Sequence, residues 1–184
     1  VVRDQETKDA IADAAGPAAK RYAAQLALGE NPWNTIVPTR ATAEMIAATP
    51  VPAGLSQPYR KAPVVLVVCV DLRVVASIDQ DLGRTAVASG ASIYPLAWNI
   101  LLAARSEGLG GTLTTMPIAE EPALRQVLGI PEHVAICTVI PLGKPVRQLT
   151  RLKRRPVSTF VTRERFDGEP FGKQAGLTAD RSPG

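Results

Sequence analysis

SIYPLAWNILLAARSEGLGGTLTTM, residues 92–116, is the stretch from which the rest of the chain is best read. Between Leu96 and Ala104 only Asn99 is polar, so a helix here is apolar on every side. Such helices are enclosed by protein rather than laid on its surface, and this one is too short to cross a bilayer. Ser92 or Tyr94 can cap its start, Pro95 fits the first turn, and Gly108 supplies a left-handed exit. The following Thr112 to Thr115 is short and β-prone. It is expected to return past the helix carrying hydroxyls and free backbone donors.

Working outward, Ala62 to Val70 (APVVLVVCV) is continuous and β-branched, which predicts a strand buried on both faces at the centre of the sheet. Val134 to Leu142 (VAICTVIPL) is a second strand, and Pro141 near its end suggests an edge or exit. Glu120 to Leu128 reads as a short amphipathic helix stopped by Gly129 and Pro131. His133, in the turn that follows, reads as structural rather than catalytic. Asp71 to Gly90 is a polar connector with room for a helical turn. Its Asp79-Gln80-Asp81 is a pair of loop carboxylates of the kind more often solvated than metal-binding, and no metal site is assigned.

Upstream, Asp4 is a cap for a helix over Gln5 to Ala15. Gly16-Pro17 punctuates it before a second run, Ala18 to Leu28, closed by Gly29. From Glu30 to Lys61 prolines at 32, 38, 50, 52 and 58 leave room for one short helix, about Ala41 to Ala48. Residues 30–61 therefore read as a lid-like irregular segment or a plain connector. Thr159 to Thr162 is β-prone, and the tail to Gly184 is polar and extended.

At 184 residues and 46% hydrophobic, the chain reads as a single globular domain, 1–184. Cys69 and Cys137 each lie in an apolar strand run, as buried small hydrophobes in a reducing compartment would. With no signal-peptide or membrane-span pattern, a cytoplasmic location is the default expectation. Val1-Val2-Arg3-Asp4 resembles the tail of a strand entering a helix, so the natural domain is expected to begin upstream. The net charge of +4 is unevenly spread: Lys144 to Arg165 carries eight basic residues and one acidic, so the remainder is net acidic. Anion attraction therefore belongs to the C-terminal part.

Several familiar catalytic devices are missing from the sequence, among them G-x-S-x-G, H-E-x-x-H, paired C-x-x-C and the P-loop. Gly108-Leu109-Gly110-Gly111 leaves a helix rather than opening one, and Leu113 stands where a dinucleotide fingerprint needs glycine. With one histidine and no nucleophile beside a base, no catalytic side chain is assigned; an enzyme built this way needs a cofactor for its chemistry. Two elements remain. One is the donor-bearing Thr112 to Met116, which alone reads as an ordinary core strand. The other is Leu152-Lys153-Arg154-Arg155-Pro156, whose guanidinium groups can grip a phosphate, form a solvated basic face or contact nucleic acid.

In combination, the order apolar helix, G-L-G-G, T-L-T-T-M-P, L-R-Q-V-L-G-I-P-E, V-I-P-L-G-K-P, L-K-R-R-P-V resembles the FMN-dependent nitroreductase family. The similarity is to the branch that holds iodotyrosine deiodinase and bacterial NAD(P)H-dependent reductases, over roughly Ala62 to Phe166 and more loosely over Val1 to Leu28. The resemblance implies an α+β fold with a mixed or antiparallel sheet flanked by helices, in an intertwined homodimer. A C-terminal arm from Val157 reaches the partner, ahead of a tail to 184. It implies that Thr114, Thr115 and Met116 run beside the flavin ring, where a donor at N5 helps set the redox potential. Arg154 matches the family arginine on the FMN phosphate, with Lys153 or Arg155 assisting. The family's N-terminal arginine-rich helix and asparagine-bearing loop would lie before Val1.

The implied activity is hydride transfer from NAD(P)H, docking transiently, through FMN to an electron-poor small molecule such as a nitroaromatic or quinone, with no nucleic acid or membrane as partner. Alternatives are a flavin-dependent reductive dehalogenase, a flavin-holding protein without turnover, and a nucleic-acid-contacting module. Aromatics are only 4% of the chain and none interleaves the basic cluster, which weighs against the last.

Overall fold

The computed structural model describes residues 1–147 and 150–172, in two units, Val1–Val146 and Arg147–Gly184. The first unit orders α1 (Gln5–Ala14), α2 (Gly16–Ala27), α3 (Ala43–Ala48), α4 (Ala53–Lys61), β1 (Val64–Asp71), α5 (Tyr94–Ser106), β2 (Gly110–Gly111), α6 (Glu121–Leu128) and β3 (Val134–Gly143). This is an α+β arrangement whose antiparallel sheet runs β1-β3-β2.

Local chemistry explains most boundaries. The Asp4 carboxylate accepts the Thr7 N–H at 2.7 Å and starts α1, and these hydrogen bonds hold its pKa below the usual carboxylate value. Pro17 sits in the first turn of α2, where it is tolerated rather than disruptive. At the end of α5, Gly108 adopts φ +73°, Leu109 N–H bonds Ala104 C=O and Gly108 N–H bonds Arg105 C=O. That crossed pair closes the helix as the glycine implied.

The core lies between α1, α4, α6 and the sheet: Ile11, Ala12, Ala15, Tyr59, Val65, Leu124, Ile136 and Val139 are all buried in one cluster. The sheet's centre is β3, not the run at 62–70. Among the described residues β1 is flanked on its other side only by the single bridge Val2–Val65, and within it only Val65 is buried. A β-branched run suits either position, because centrality is decided by which strands arrive on both sides. Pro141 accordingly lies inside a central strand, not at an edge. Cys137 is buried, but Cys69, further along the face of β1 that also carries the packed Val65 and Val67, is exposed.

α4 is a helix that the prolines had argued against. Pro52 precedes it and Pro58 sits within it, four residues after Gly54, whose carbonyl it cannot bond, and tertiary contacts hold the helix in place. Tyr59 is buried, Gln5 Nε2 reaches Arg60 C=O at 3.2 Å, Lys8 Nζ reaches Ala62 C=O at 3.0 Å, and Arg60 pairs with Asp9 and Asp13.

α5 departs from expectation in its surroundings. Its cap is Ile93, with no side-chain hydrogen bond. Only Ala97 and Ala104 are buried, while Leu96, Trp98 and Leu102 are each more than half exposed. The helix is apolar on every side, as read, yet among the described residues it buries only Ala97 and Ala104, with Ile100 and Leu101 partly covered.

In the connector, the Asp79 carboxylate accepts Val87 N–H at 2.8 Å, Arg84 Nη1 at 2.7 Å and Ala88 N–H at 3.1 Å, which lowers its pKa to about 2. It therefore braces a loop of turns. His133 is exposed, and its carbonyl accepts Leu72 N–H at 2.8 Å.

In the second unit a 3-10 turn spans Val157–Thr159, and Thr162 bridges Pro170. The expected tail beyond residue 172 lies outside the described residues. Among the described residues no helix is long and apolar enough to cross a membrane.

Candidate functional site

A cavity of about 410 Å³ opens in the first unit between α2, α4, the segment after β2, and β3. Tyr22, Leu55, Pro58 and Tyr59 form one side, and Thr112 through Met116 with Pro141 form the other.

The second wall follows from the sheet. Gly111 must be small, because a Cβ there would lie 2.4 Å from Leu142 Cδ2 and 2.9 Å from the Pro141 carbonyl oxygen. After Gly111 the chain leaves regular pairing and returns for one bridge: Thr114 N–H to Val139 C=O at 3.1 Å, and Val139 N–H to Thr114 C=O at 2.9 Å. The register running from Gly110–Gly143 and Gly111–Leu142 to Thr114–Val139 sets Pro141 opposite Thr112. Pro141 has no N–H to give, so the ladder fails there and Thr112-Leu113 bows away from β3 as cavity wall. The strand expected over Thr112 to Thr115 is thus a single bridged residue, and Met116–Glu120 turns into a 3-10 helix.

Thr114 is held from several directions. Thr138 Oγ1 donates to its carbonyl at 2.9 Å, Met116 N–H donates to its hydroxyl oxygen at 3.3 Å, and that oxygen lies 3.2 Å from the Tyr59 hydroxyl. Tyr59 is only 2% exposed, and burial pushes its pKa up, although the Thr114 hydrogen bond acts the other way. It stays a neutral phenol at neutral pH. Thr115 is exposed, its carbonyl accepts Ile118 N–H at 3.0 Å, and its own N–H and hydroxyl have no hydrogen-bond partner among the described residues. Apolar Leu55 and Pro58 across from this polar edge, with Met116 and Pro141 beside it, suit a flat heteroaromatic ring that hydrogen-bonds along one side. That chemistry fits the ring of FMN.

Of the residues singled out from sequence, the structure gathers Thr114, Thr115 and Met116 at this cavity. Lys153, Arg154 and Arg155 belong to the second unit and are exposed there. Arg154 Nη1 donates to Lys153 C=O at 3.3 Å, and the Arg155 guanidinium lies 5.7 Å from the Phe160 ring centre.

Sequence reading missed Tyr59, Leu55 and Tyr22. Tyr59 could have been suspected only as a large amphipathic side chain just ahead of the first strand. Beside the cavity, Trp33 holds φ +51°, stacks near Tyr22 at 6.2 Å and lies under the Arg21 guanidinium at 5.4 Å. Trp33 N–H donates to the buried Gln25 Oε1 at 3.3 Å. The start of the 30–61 segment is therefore anchored to α2.

The sequence pattern of the Nitroreductase family matches residues 1–144. A relative from Methanothermobacter thermautotrophicus, provisionally named an NADH dehydrogenase/NAD(P)H nitroreductase, is 35% identical over 145 residues, 77% of this chain and 66% of the relative. Among solved structures, a provisionally assigned oxidoreductase from Bacteroides fragilis gives a TM-score of 0.56 at 17% identity, covering 90% of this chain and 55% of that one. Oxidized iodotyrosine deiodinase, bound to FMN and 3-iodo-L-tyrosine, gives 0.55 at 17% identity, covering 89% and 73%. At such identities the structural likeness establishes the fold. The chain spans just under two thirds of the curated relative and little more than half of the Bacteroides protein.

Proposed function

The chain belongs to the Nitroreductase family, and from that membership we propose that it acts as an FMN-dependent oxidoreductase. When bound, FMN would supply the two-electron centre that NAD(P)H reduces and an electron-poor small molecule, such as a nitroaromatic or quinone, reoxidises. The observation that carries this reading is the cavity at Thr112 to Met116, lined both by apolar side chains and by Thr115, whose N–H and hydroxyl have no hydrogen-bond partner among the described residues.

In this reading Thr114, Thr115 and Met116 hold and orient the ring edge. Arg154 binds the phosphate, with Lys153 or Arg155 assisting, since a guanidinium can make paired hydrogen bonds to phosphate oxygens. The chain assigns no acid or base of its own to catalysis. The working unit is a cytoplasmic homodimer, supported by the exposed Leu96, Trp98 and Leu102 of α5. A surface helix with that composition is what an interface between subunits buries. Of the 30–61 segment, the part ahead of α4, residues 30–52, serves as the substrate lid.

A visible spectrum of the purified protein, taken with and without any upstream coding sequence, tests the proposal. A yellow preparation bleached by NADH or NADPH and recoloured by a quinone is the expected result. A colourless protein that fails to take up added FMN in both forms would remove the flavin assignment.

A further inference from the structure

Resting on the flavin reading, we infer that Tyr59 positions Thr114 as a pure hydrogen-bond donor, so that the ligand atom seated against Thr114 must be an acceptor. The flavin reading gives Tyr59 no role of its own. It comes from α4, the helix hidden by its own prolines, and its hydroxyl is the one polar atom of this buried side chain.

The argument is an accounting of protons and lone pairs. The Tyr59 hydroxyl has one hydrogen-bond partner among the described residues, Thr114 Oγ1 at 3.2 Å. Either oxygen can donate in that contact, but the alternatives are unequal. If Thr114 donated, the Tyr59 proton would be stranded in a side chain that is 2% exposed, and an unmade buried hydrogen bond is expensive. If Tyr59 donates, the proton left over belongs to Thr114, which is half-buried at the cavity wall, where ligand or water can receive it. The second arrangement is the favoured one. Thr114 Oγ1 then accepts from Tyr59 and also from Met116 N–H at 3.3 Å, so both of its acceptor positions are filled. Its backbone cannot swing away to change this, because its N–H and C=O are bound to Val139 and its C=O also to Thr138.

Toward the cavity Thr114 can therefore give a proton and cannot accept one. Two-electron reduction of a flavin turns a ring acceptor into an N–H donor, which such a wall does not receive. Tyr59 thus biases the site toward the oxidised ligand from a position behind Thr114.

Two measurements test this. In the cofactor-free full chain, proton NMR should show a slowly exchanging Tyr59 hydroxyl proton, absent in Tyr59→Phe and faster-exchanging in Thr114→Val, where nothing accepts it. A protected Thr114 hydroxyl proton with an unprotected Tyr59 one would overturn the assignment. With FMN bound, Tyr59→Phe frees an acceptor position on Thr114. The affinity of reduced over oxidised FMN should then rise about tenfold, a midpoint potential about 30 mV higher. In the Thr114→Val background the same change should leave the potential alone, and an equal shift in both backgrounds would refute positioning through Thr114. Wild-type protein that takes up no FMN would remove the flavin reading, while the NMR experiment would still decide which hydroxyl donates.

Discussion

Glu121→Ala should be among the more damaging single changes outside the hydrophobic core, and the reason is a strand irregularity. Pairing of β1 with β3 slips between Val68 and Cys69, so that Val68 faces Thr138 while Cys69 faces Ile136, with Cys137 left over. Such bulges free backbone groups from the ladder. Here the Ile136 N–H donates to Glu121 Oε1 of α6 at 2.8 Å, and Arg125 Nη2 steadies the same oxygen at 3.3 Å. Ile136 is 3% exposed, so water cannot easily replace the carboxylate.

Alanine would leave that N–H unsatisfied, at a cost of about 1–3 kcal/mol. For a chain of this size that corresponds to a fall of roughly 2–12 °C in Tm. Glu121→Gln keeps an acceptor oxygen and loses only the charge, so its cost should be about half as large, charged acceptors being roughly twice as strong as neutral ones. Circular-dichroism melts and urea titrations of the three proteins give the comparison. If glutamine is as damaging as alanine, the ion pair rather than the bulge donor matters. If both lie within about 0.5 kcal/mol of wild type, the level of an ordinary surface change, the bulge needs no capping and the reasoning is wrong.

Arg154→Ala should weaken FMN binding more than Lys144→Ala, by about tenfold or more, as loss of a charged phosphate contact implies; fluorescence titration with equal effects for both would take Arg154 off the phosphate. Leu102→Glu should weaken self-association roughly thirtyfold or more, because the residue is 52% exposed in the single chain and a twofold interface repeats the loss. Sedimentation showing an unchanged dimer, or no dimer in the wild type, would contradict that. Asp79, with its pKa lowered from 3.8 to about 2, contributes stability that is present in full above pH 3.8 and is lost as pH falls toward 2. Urea midpoints should therefore drop across that interval in wild type and less steeply in Asp79→Asn, whereas parallel slopes would count against it.

Element type was largely legible in the sequence, while position within the fold was not. Gly29, Gly108 and Gly129 each sit at positive φ at or just beyond the helix end they were read to close, because a left-handed exit is a local demand that few residues meet. Centrality in the sheet is not local, and residues 62–70 and 134–142 carry nearly the same hydropathy. α4 was lost because Pro58 weighs heavily in a local reading, whereas its stability comes from Tyr59 and the α1 contacts. At the site, Thr114 to Met116 stood out through family resemblance rather than through their own chemistry. Tyr59 offered only its size and amphipathic character, since which hydroxyl it meets depends on strands far along the chain.

The bulge contact has a consequence for the order in which the chain assembles. α6 and β3 are near neighbours in sequence, and Glu121 joins them directly, so this pair and the nearby β2 strand can come together with short loops to close. β1 must return from much further upstream, at a greater entropic cost of closure. The α6–β3 pair is thus the natural nucleus, with β1 docking late. Weakening Glu121 should then slow refolding, whereas trimming side chains on β1 should chiefly hasten unfolding.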